Sequence, residues 1–192
     1  MQGASIAIED LACRRGDRVL FRGLSLRLAS GEALHVTGSN GIGKSSLLRI
    51  VAGLAPAFAG RVETSGAIGL VDERHALDHA LPLGRALGFW SVIDHAAESG
   101  LERLGLTALL DVPVRYLSTG QKKRAALARL IGQKAAIWLL DEPLNGLDGD
   151  AAALTEALVA EHCAGGGIAL IASHQSFTLA HKRTLALGEH AA

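Results

Sequence analysis

The stretch Gly38-Ser39-Asn40-Gly41-Ile42-Gly43-Lys44-Ser45, followed by Ser46, decides how this chain of 192 residues folds. It matches the phosphate-loop pattern G-x-x-x-x-G-K-[ST] in full, between a predicted strand over 32–37 and a predicted helix over 45–52. Glycines in such a loop let backbone N–H groups turn inward around phosphate oxygens, and the helix start adds partial positive charge. Lys44 is expected to reach the β- and γ-phosphates, and Ser45 to bind Mg²⁺. Residues 38–46 are therefore the candidate nucleotide-binding set.

A second element follows the apolar run Ala136-Ile137-Trp138-Leu139-Leu140, which is typical of a strand buried on both faces of a parallel sheet. Such a strand delivers Asp141 and Glu142 to the carboxyl edge of the sheet, where ligands of doubly wound folds bind. Asp141 is expected to hold Mg²⁺, directly or through water, and Glu142 to polarise the water that attacks the γ-phosphate. The alternative is that both carboxylates only cap the following turn. The phosphate loop favours the catalytic interpretation.

Two further polar stretches lie at the ends of predicted elements. Ser118-Thr119-Gly120-Gln121 comes at the start of a predicted helix, and its Ser and Gln form a capping-box pattern. The free amides of such a helix start can also bind an anion. His174 follows the predicted strand over 168–172. It is either an ordinary turn residue or a side chain that reaches the same edge as Asp141.

The order of the predicted elements indicates one α/β domain over 1–192. Alternating or apolar runs predict strands over 5–9, 19–28, 32–37, 136–140, 168–172 and 184–187, with two more within 61–71. Helical spacing predicts helices over 45–52, 119–131 and 151–163, and a helical insert over about 77–118. We expect a mixed central sheet and an N-terminal antiparallel β subdomain.

Composition narrows the class of protein. The chain has 19 Lys and Arg residues and 19 Asp and Glu residues, and this balance argues against a protein that coats nucleic acid or an anionic membrane. Cys13 and Cys163 lie far apart without metal-ligand partners nearby, which is typical of a reducing, cytosolic compartment. We expect neither a cleaved leader nor a membrane-spanning helix, because the start is not basic and no apolar run reaches about 18 residues.

Taken in order, GSNGIGKSS, LSTGQ, LLDEP, NGLD and SHQ resemble the motifs of the nucleotide-binding domain of ABC transporters. The resemblance covers the chain from about residue 5 to residue 187. LSTGQ, at 117–121, separates ABC ATPases from other phosphate-loop enzymes. The resemblance implies an ABC-type fold, ATP and Mg²⁺ as ligands, and ATP hydrolysis.

The same resemblance implies partners and roles for single residues. Two such domains would pair head to tail as a homodimer, so that the segment 118–121 of one closes over the ATP at Lys44 of the other. Asp148 would lie in the loop that crosses this interface, and His174 would contact the γ-phosphate. An integral membrane permease subunit is the second partner implied.

Two positions depart from the ABC pattern. The family usually places an aromatic residue ahead of the phosphate loop to stack on adenine, whereas this chain has Arg14-Arg15-Gly16 and offers only guanidinium groups. The magnesium-contacting glutamine after the third strand is also missing, and Asp72 or Glu73 occupies its place. A carboxylate can bind the metal, but it adds negative charge beside a triphosphate.

Within the family, the short length, the stretch ALGFW and the Leu-Ala-Leu-Gly ending are similar to the ATP-binding subunit of cytochrome c maturation complexes. This similarity implies a peripheral protein on the cytoplasmic face of the inner membrane, whose ATP hydrolysis drives haem export or the release of a haem-loaded chaperone. The ATPase itself is expected to contact neither haem nor nucleic acid. Two alternatives stay open, namely the ATPase of another ABC exporter and a soluble ABC ATPase of DNA repair or translation.

The predicted insert carries a candidate docking surface for the membrane subunit. Leu83, Leu87 and Trp90 lie at i, i+4 and i+7 and form one apolar helical stripe, with Phe89 beside it. The leucines fit the insert's own core equally well. Adjacent helical positions point about 100° apart, so we expect either Phe89 or Trp90 to face outward.

Overall fold

The structure is a computed structural model that describes residues 3–94 and 100–192. Its strands are β1 (Ser5–Arg15), β2 (Arg18–Ala29), β3 (Ala33–Thr37), β4 (Ala59–Ser65), β5 (Ile68–Val71), β6 (Ile137–Asp141), β7 (Ile168–Ala172) and β8 (Arg183–Ala186). Its α-helices are α1 (Lys44–Val51), α2 (Leu83–Ile93), α3 (Thr119–Gly132) and α4 (Gly149–Ala164). The elements divide into a small antiparallel sheet and a larger sheet with helices packed on both faces.

The small sheet has the strand order β2-β1-β4, and both pairings are antiparallel. Strand β1 runs well past residue 9, where the alternating pattern predicted its end. A register shift between Ile8 and Leu11, with Asp10 at φ 48°, breaks the period of two there and hides the second half of the strand from pattern analysis. The antiparallel N-terminal sheet expected from the sequence is thus present.

The larger sheet has the order β5-β6-β7-β3-β8, and each of its strand pairs is parallel. Every residue of β6 and of β7 is buried, as the unbroken apolar runs predicted. The sequence predicted a mixed central sheet, with parallel and antiparallel pairs together. In the described residues, the two kinds of pairing lie in separate sheets. Antiparallel pairing belongs to the small sheet, in which a hairpin joins β1 to β2 and β4 pairs with β1 after α1. Parallel pairing belongs to the large sheet, where helices lie in the chain between β3 and β5, between β5 and β6 and between β6 and β7.

In the described part of the helical insert expected over 77–118 there is one α-helix, α2. Leu101 and Leu104 have helical spacing but lie in turns, because Gly100 and Gly105 adopt left-handed backbone angles of φ 85° and 63° on either side of them. Leu104 is nevertheless buried in the core. Two short 3₁₀ segments follow before α3, and residues 95–99 of the predicted insert lie outside the described residues.

The core lies on both faces of the parallel sheet. Ile137 and Leu139 of β6 pack towards α1 and the antiparallel sheet, whereas Trp138 and Leu140 pack towards α2, α3 and α4. Alternate residues of one strand therefore hold two helical layers on the same sheet. Among the described residues, no helix is long and apolar enough to cross a membrane.

We predict that Leu139→Ala lowers the free energy of unfolding by about 2–5 kcal/mol, because it opens a cavity under a central strand. Leu139 has no exposed surface, whereas Leu54, after α1, is 68% exposed. Leu54→Ala is the matched control and should change stability by about 0.5 kcal/mol or less. Urea unfolding of both variants measures the difference, and equal midpoints would contradict this account of the core.

Candidate nucleotide-binding site

The phosphate loop joins the end of β3 to α1. Gly43 precedes the helix with φ 115°, a left-handed angle that favours glycine, and a Cβ at this position would lie 3.0 Å from a ring carbon of Phe21. Lys44 turns back over the loop, and its Nζ donates hydrogen bonds to the carbonyl oxygens of Gly38 at 2.7 Å and Ser39 at 3.3 Å. The ammonium group is thus fixed at the mouth of a backbone nest that can hold phosphate.

The loop borders a cleft of about 340 Å³ at the carboxyl edge of the parallel sheet. Most sequence-predicted groups of the nucleotide site meet here, and the lining residues are Arg15, Leu20, Asn40, Gly41, Gly43, Lys44, Ser45, Ser46, Glu73, Glu142, Asn145 and His174. The cleft therefore combines a phosphate loop with two carboxylates and an imidazole, groups that can bind phosphate and orient an attacking water.

Glu142 is the most constrained residue of the cleft. It follows β6 with φ 46°, an uncommon left-handed angle for a residue other than glycine. Its carboxylate accepts hydrogen bonds from the Ser173 hydroxyl (3.1 Å), the His174 backbone N–H (3.2 Å) and His174 Nδ1 (2.9 Å). Oε1 lies 4.0 Å from Lys44 Nζ. The predicted catalytic pair Glu142 and His174 is thus in direct contact beside the phosphate loop.

Asp141 lies one residue earlier, beneath the cleft. Burial raises the pKa of its carboxyl, a hydrogen bond from the Ser45 hydroxyl lowers it, and the nearby charge of Glu142 raises it further. Oδ1 is buried and has no hydrogen-bond partner among the described residues. A hydroxyl and an unpartnered carboxylate oxygen side by side are hard oxygen ligands, so Ser45 and Asp141 fit a Mg²⁺ ion.

Asp72 and Glu73, which take the place of the glutamine found in other ABC domains, differ in their contacts. Asp72 accepts a hydrogen bond from Arg49 at 3.2 Å and one from the Arg74 backbone N–H at 2.8 Å. Its carboxylate is therefore engaged at the end of α1. Glu73 lines the cleft and is the one of the two that can approach a metal ion.

Arg14 and Arg15, the two arginines ahead of the phosphate loop, also lie in different places. The Arg14 guanidinium lies 4.6 Å from the centre of the Phe58 ring and does not line the cleft. Arg15 lines the cleft together with Leu20. Of the two arginines, Arg15 is thus the one whose planar guanidinium lies at the cleft, where the ABC pattern has an aromatic ring.

The signature segment forms the start of α3 and does not belong to the lining of its own chain's cleft. Ser118 Oγ accepts from the Gln121 N–H, and Gln121 Oε1 accepts from the Ser118 N–H, so the predicted capping box is present. Gly120 packs tightly on the loop before α4, because a Cβ there would lie 2.6 Å from the Gly146 carbonyl oxygen. Asp148 caps α4 through the Ala151 N–H at 2.8 Å. Thr119 is exposed.

Three residues that contact the site were not among the predicted site residues. Asn145 and Ser173 stand in the NGLD and SHQ stretches, from which roles were predicted only for Asp148 and His174. Lys123 of α3 is buried, and its ammonium group donates a hydrogen bond to the Glu142 carbonyl oxygen. A signal for it existed, because Lys123 lies at i−4 from Leu127 and i−7 from Leu130 on the apolar face of the helix.

Comparison with known proteins agrees with this geometry. The family described as ABC transporter matches residues 21–145. The cytochrome c biogenesis ATP-binding export protein CcmA of Novosphingobium aromaticivorans is 58% identical over 187 residues, which cover 97% of each chain. The chain belongs to the CcmA family of ABC transporter ATP-binding proteins. The protein of the same description from Rhodospirillum rubrum is 42% identical, over 98% of this chain and 88% of its own.

Solved structures show the same fold. An ABC transporter ATP-binding protein from Pyrococcus furiosus superposes with a TM-score of 0.85 over 98% of this chain and all of its own, at 20% identity. The cbiO1 protein of Clostridium perfringens, part of the ABC transporter complex cbiONQ, gives a TM-score of 0.73 at 27% identity, over 91% of this chain and 80% of its own. The α/β, ABC-type fold class and the family resemblance predicted from the motifs are confirmed, and this CcmA family member is an ATP hydrolase.

We predict that Lys44→Ala weakens ATP binding by about 10- to 100-fold, because charge-assisted hydrogen bonds to the phosphates are lost. Isothermal titration with ATP measures the affinity. Lys134→Ala, which removes an exposed lysine beyond α3, is the matched control and should bind ATP normally. An unchanged affinity in Lys44→Ala would contradict the assignment of the phosphate loop.

Proposed function

We propose that this chain is the ATP-hydrolysing subunit of a membrane complex for cytochrome c biogenesis, and that hydrolysis drives haem export or the release of a haem-loaded chaperone. The contact of Glu142 with His174 beside Lys44 is the observation that carries the catalytic part of the proposal. The CcmA relatives, identical at up to 58% of positions in the matches given above, carry the biological part. They argue against an ATPase of DNA repair or translation.

Glu142 is the proposed general base. Its carboxylate takes a proton from the water that attacks the γ-phosphate, and Lys44 neutralises charge on the phosphates from the other side. A carboxylate can only accept hydrogen bonds, so His174 Nδ1 carries the hydrogen in the bond that joins the two residues. Nε2 is then left to face the γ-phosphate, and it donates to a phosphate oxygen when the imidazole carries a hydrogen on both nitrogens. Ser173 and the His174 N–H hold the same carboxylate in place.

Mg²⁺ would be held by Ser45 and Asp141, with Glu73 as a further ligand at the cleft wall. The ion supplies neutralisation of charge on the β- and γ-phosphates when it is bound. Nucleobase contacts would come from Arg15 and Leu20. These assignments give each charged side chain of the cleft, Arg15, Lys44, Glu73 and Glu142, a role towards the nucleotide or its metal ion.

A head-to-tail homodimer completes the site. The segment 118–121 is exposed or half-exposed and starts a helix. Its capping box uses the Ser118 and Gln121 N–H groups, so an anion of the partner chain would meet the N–H groups of Thr119 and Gly120 between them. Gly120 and Gly146 hold this segment against the loop that contains Asp148. The segment and the loop therefore form one continuous surface, which would lie against the phosphate loop of the partner chain.

We predict that Glu142→Gln keeps ATP binding but lowers turnover by about a hundredfold or more, because an amide cannot accept the proton. The ATP that is not hydrolysed should hold two chains together, so sedimentation should show a dimer with ATP and a monomer without it. Ser118→Arg in the Glu142→Gln background should abolish the dimer but leave ATP bound, because the arginine fills the contact across the interface. Turnover of Glu142→Gln at the parent rate would exclude Glu142 as the base.

Helix α2 is the proposed contact with the membrane subunit. Leu83 and Leu87 are buried, so the leucines of the predicted stripe serve the core. Trp90 also faces inward, because its Nε1 donates to the Ala76 carbonyl at 2.5 Å and the Arg129 guanidinium lies 3.5 Å from its ring centre. Phe89 is 58% exposed and packs edge to face on Trp90. The outward aromatic is thus Phe89, and the exposed Val92 and Ile93 extend its apolar face.

We predict that Phe89→Ala weakens binding to the membrane subunit by about 2 kcal/mol, roughly thirtyfold, because exposed aromatic anchors carry much of the energy of interfaces. ATP binding should be unchanged. Leu54→Ala, which removes an exposed apolar side chain elsewhere, is the control and should co-purify fully. If Phe89→Ala also co-purifies fully at low protein concentration, α2 is not the docking surface. Binding there would place the chain at the cytoplasmic face of the inner membrane as a peripheral subunit.

A further inference from the structure

A lysine is buried in the first half of α3, close to the catalytic carboxylate. Lys123 is 3% exposed, and it lies on the face of the helix that packs into the core. Lysine is among the residues least often found fully buried, and it is buried only where its ammonium group has a partner. The burial of Lys123 therefore implies a specific partner for its ammonium group.

That partner is the backbone of Glu142. Lys123 Nζ donates a hydrogen bond to the Glu142 carbonyl oxygen at 2.5 Å. The same oxygen accepts the Asn145 N–H at 3.2 Å, which closes the turn that follows β6. Burial lowers the pKa of the Lys123 ammonium, while the charges of Glu142, Glu73 and Asp141 raise it. The ammonium group thus faces the acidic end of the nucleotide cleft from beneath.

The bond holds a backbone that has little local preference for its conformation. Glu142 is left-handed at φ 46° and stands directly before Pro143, a position that favours extended angles. The direction of its side chain follows from these backbone angles. A donor fixed to the carbonyl therefore sets where the carboxylate points, and a small displacement of a catalytic group can cost a large factor in rate.

We propose that Lys123 is a positioning residue for ATP hydrolysis, whose hydrogen bond to the Glu142 carbonyl aims the Glu142 carboxylate at the attacking water. The proposal rests on Glu142 being the general base. Lys123 does not line the cleft, so it acts through Glu142 and not on the nucleotide.

A purely structural role makes different predictions. If Lys123 only stabilised the fold, its loss would reduce the fraction of folded chains, and each folded chain would still hydrolyse ATP at the normal rate. If it aims the base, each chain that binds ATP becomes slow. Turnover must therefore be measured per bound ATP.

The experiment compares Lys123→Met, Lys123→Arg and Lys134→Met in the full chain with its membrane subunits. Methionine keeps the length and apolar stem but donates no hydrogen bond, whereas arginine keeps a donor and the charge. Lys134→Met removes an exposed lysine two residues after α3 and controls for the change in charge. ATP affinity and hydrolysis rate are measured on the same samples, and Glu142→Gln is included alone and combined with Lys123→Met.

We expect Lys123→Met to lower turnover per bound ATP by about tenfold or more while ATP affinity stays within about threefold. Lys123→Arg should recover most of the turnover, and Lys134→Met should equal the parent. Added to Glu142→Gln, the Lys123→Met change should cause no further loss, because both act through one group.

Three results would overturn the proposal. Lys123→Met could turn over each bound ATP at the parent rate, or its affinity for ATP could fall in proportion to its rate. Lys123→Arg could bind ATP normally and remain as slow as Lys123→Met. If instead Glu142→Gln itself hydrolyses ATP at the parent rate, the assignment of the base fails, and the positioning role falls with it.

Discussion

The register of three parallel strands brings the catalytic groups together. Val36 of β3 and Asp141 of β6 both pair with Ala172 of β7, so the three strands end at the same level. The residues that follow them are the phosphate loop, Glu142 and the pair Ser173 and His174. Groups more than a hundred residues apart in the sequence thus meet at one edge, and a shift in this pairing would separate them.

Two lysines hold Glu142 from opposite ends. Lys44 lies 4.0 Å from its carboxylate, and Lys123 bonds its backbone carbonyl. Asp141, directly before it, is buried, one of its oxygens has no hydrogen-bond partner in the part of the chain that the structure describes, and burial raises its pKa. A buried carboxylate of this kind is costly alone and becomes favourable when a cation is bound. The cleft therefore holds charges that ATP and Mg²⁺ would balance.

The elements and the motif residues could be predicted from the sequence, because they depend on local patterns. The unbroken apolar runs predicted β6 and β7, and the phosphate-loop pattern predicted the position of the nucleotide site. The rest depended on contacts between distant segments. Only the fold shows that Asp72 is engaged by Arg49 while Glu73 faces the cleft, or that Trp90 turns inward and Phe89 outward. The register shift in β1 broke the alternation that predicts a strand. The segment between Gly100 and Gly105 has helical spacing of its leucines but forms turns.

Helix α3 connects the two nucleotide sites of the proposed dimer. Its first residues, 118–121, would touch the ATP of the partner chain, and one turn later Lys123 touches Glu142 of its own chain. A rigid helix cannot move at its start without moving a group so close to it. Closure of the segment 118–121 over the partner's nucleotide would therefore displace Glu142, the general base of the same chain. The left-handed backbone of Glu142 depends on the hydrogen bond from Lys123, so a movement of Lys123 would change the direction of the Glu142 carboxylate.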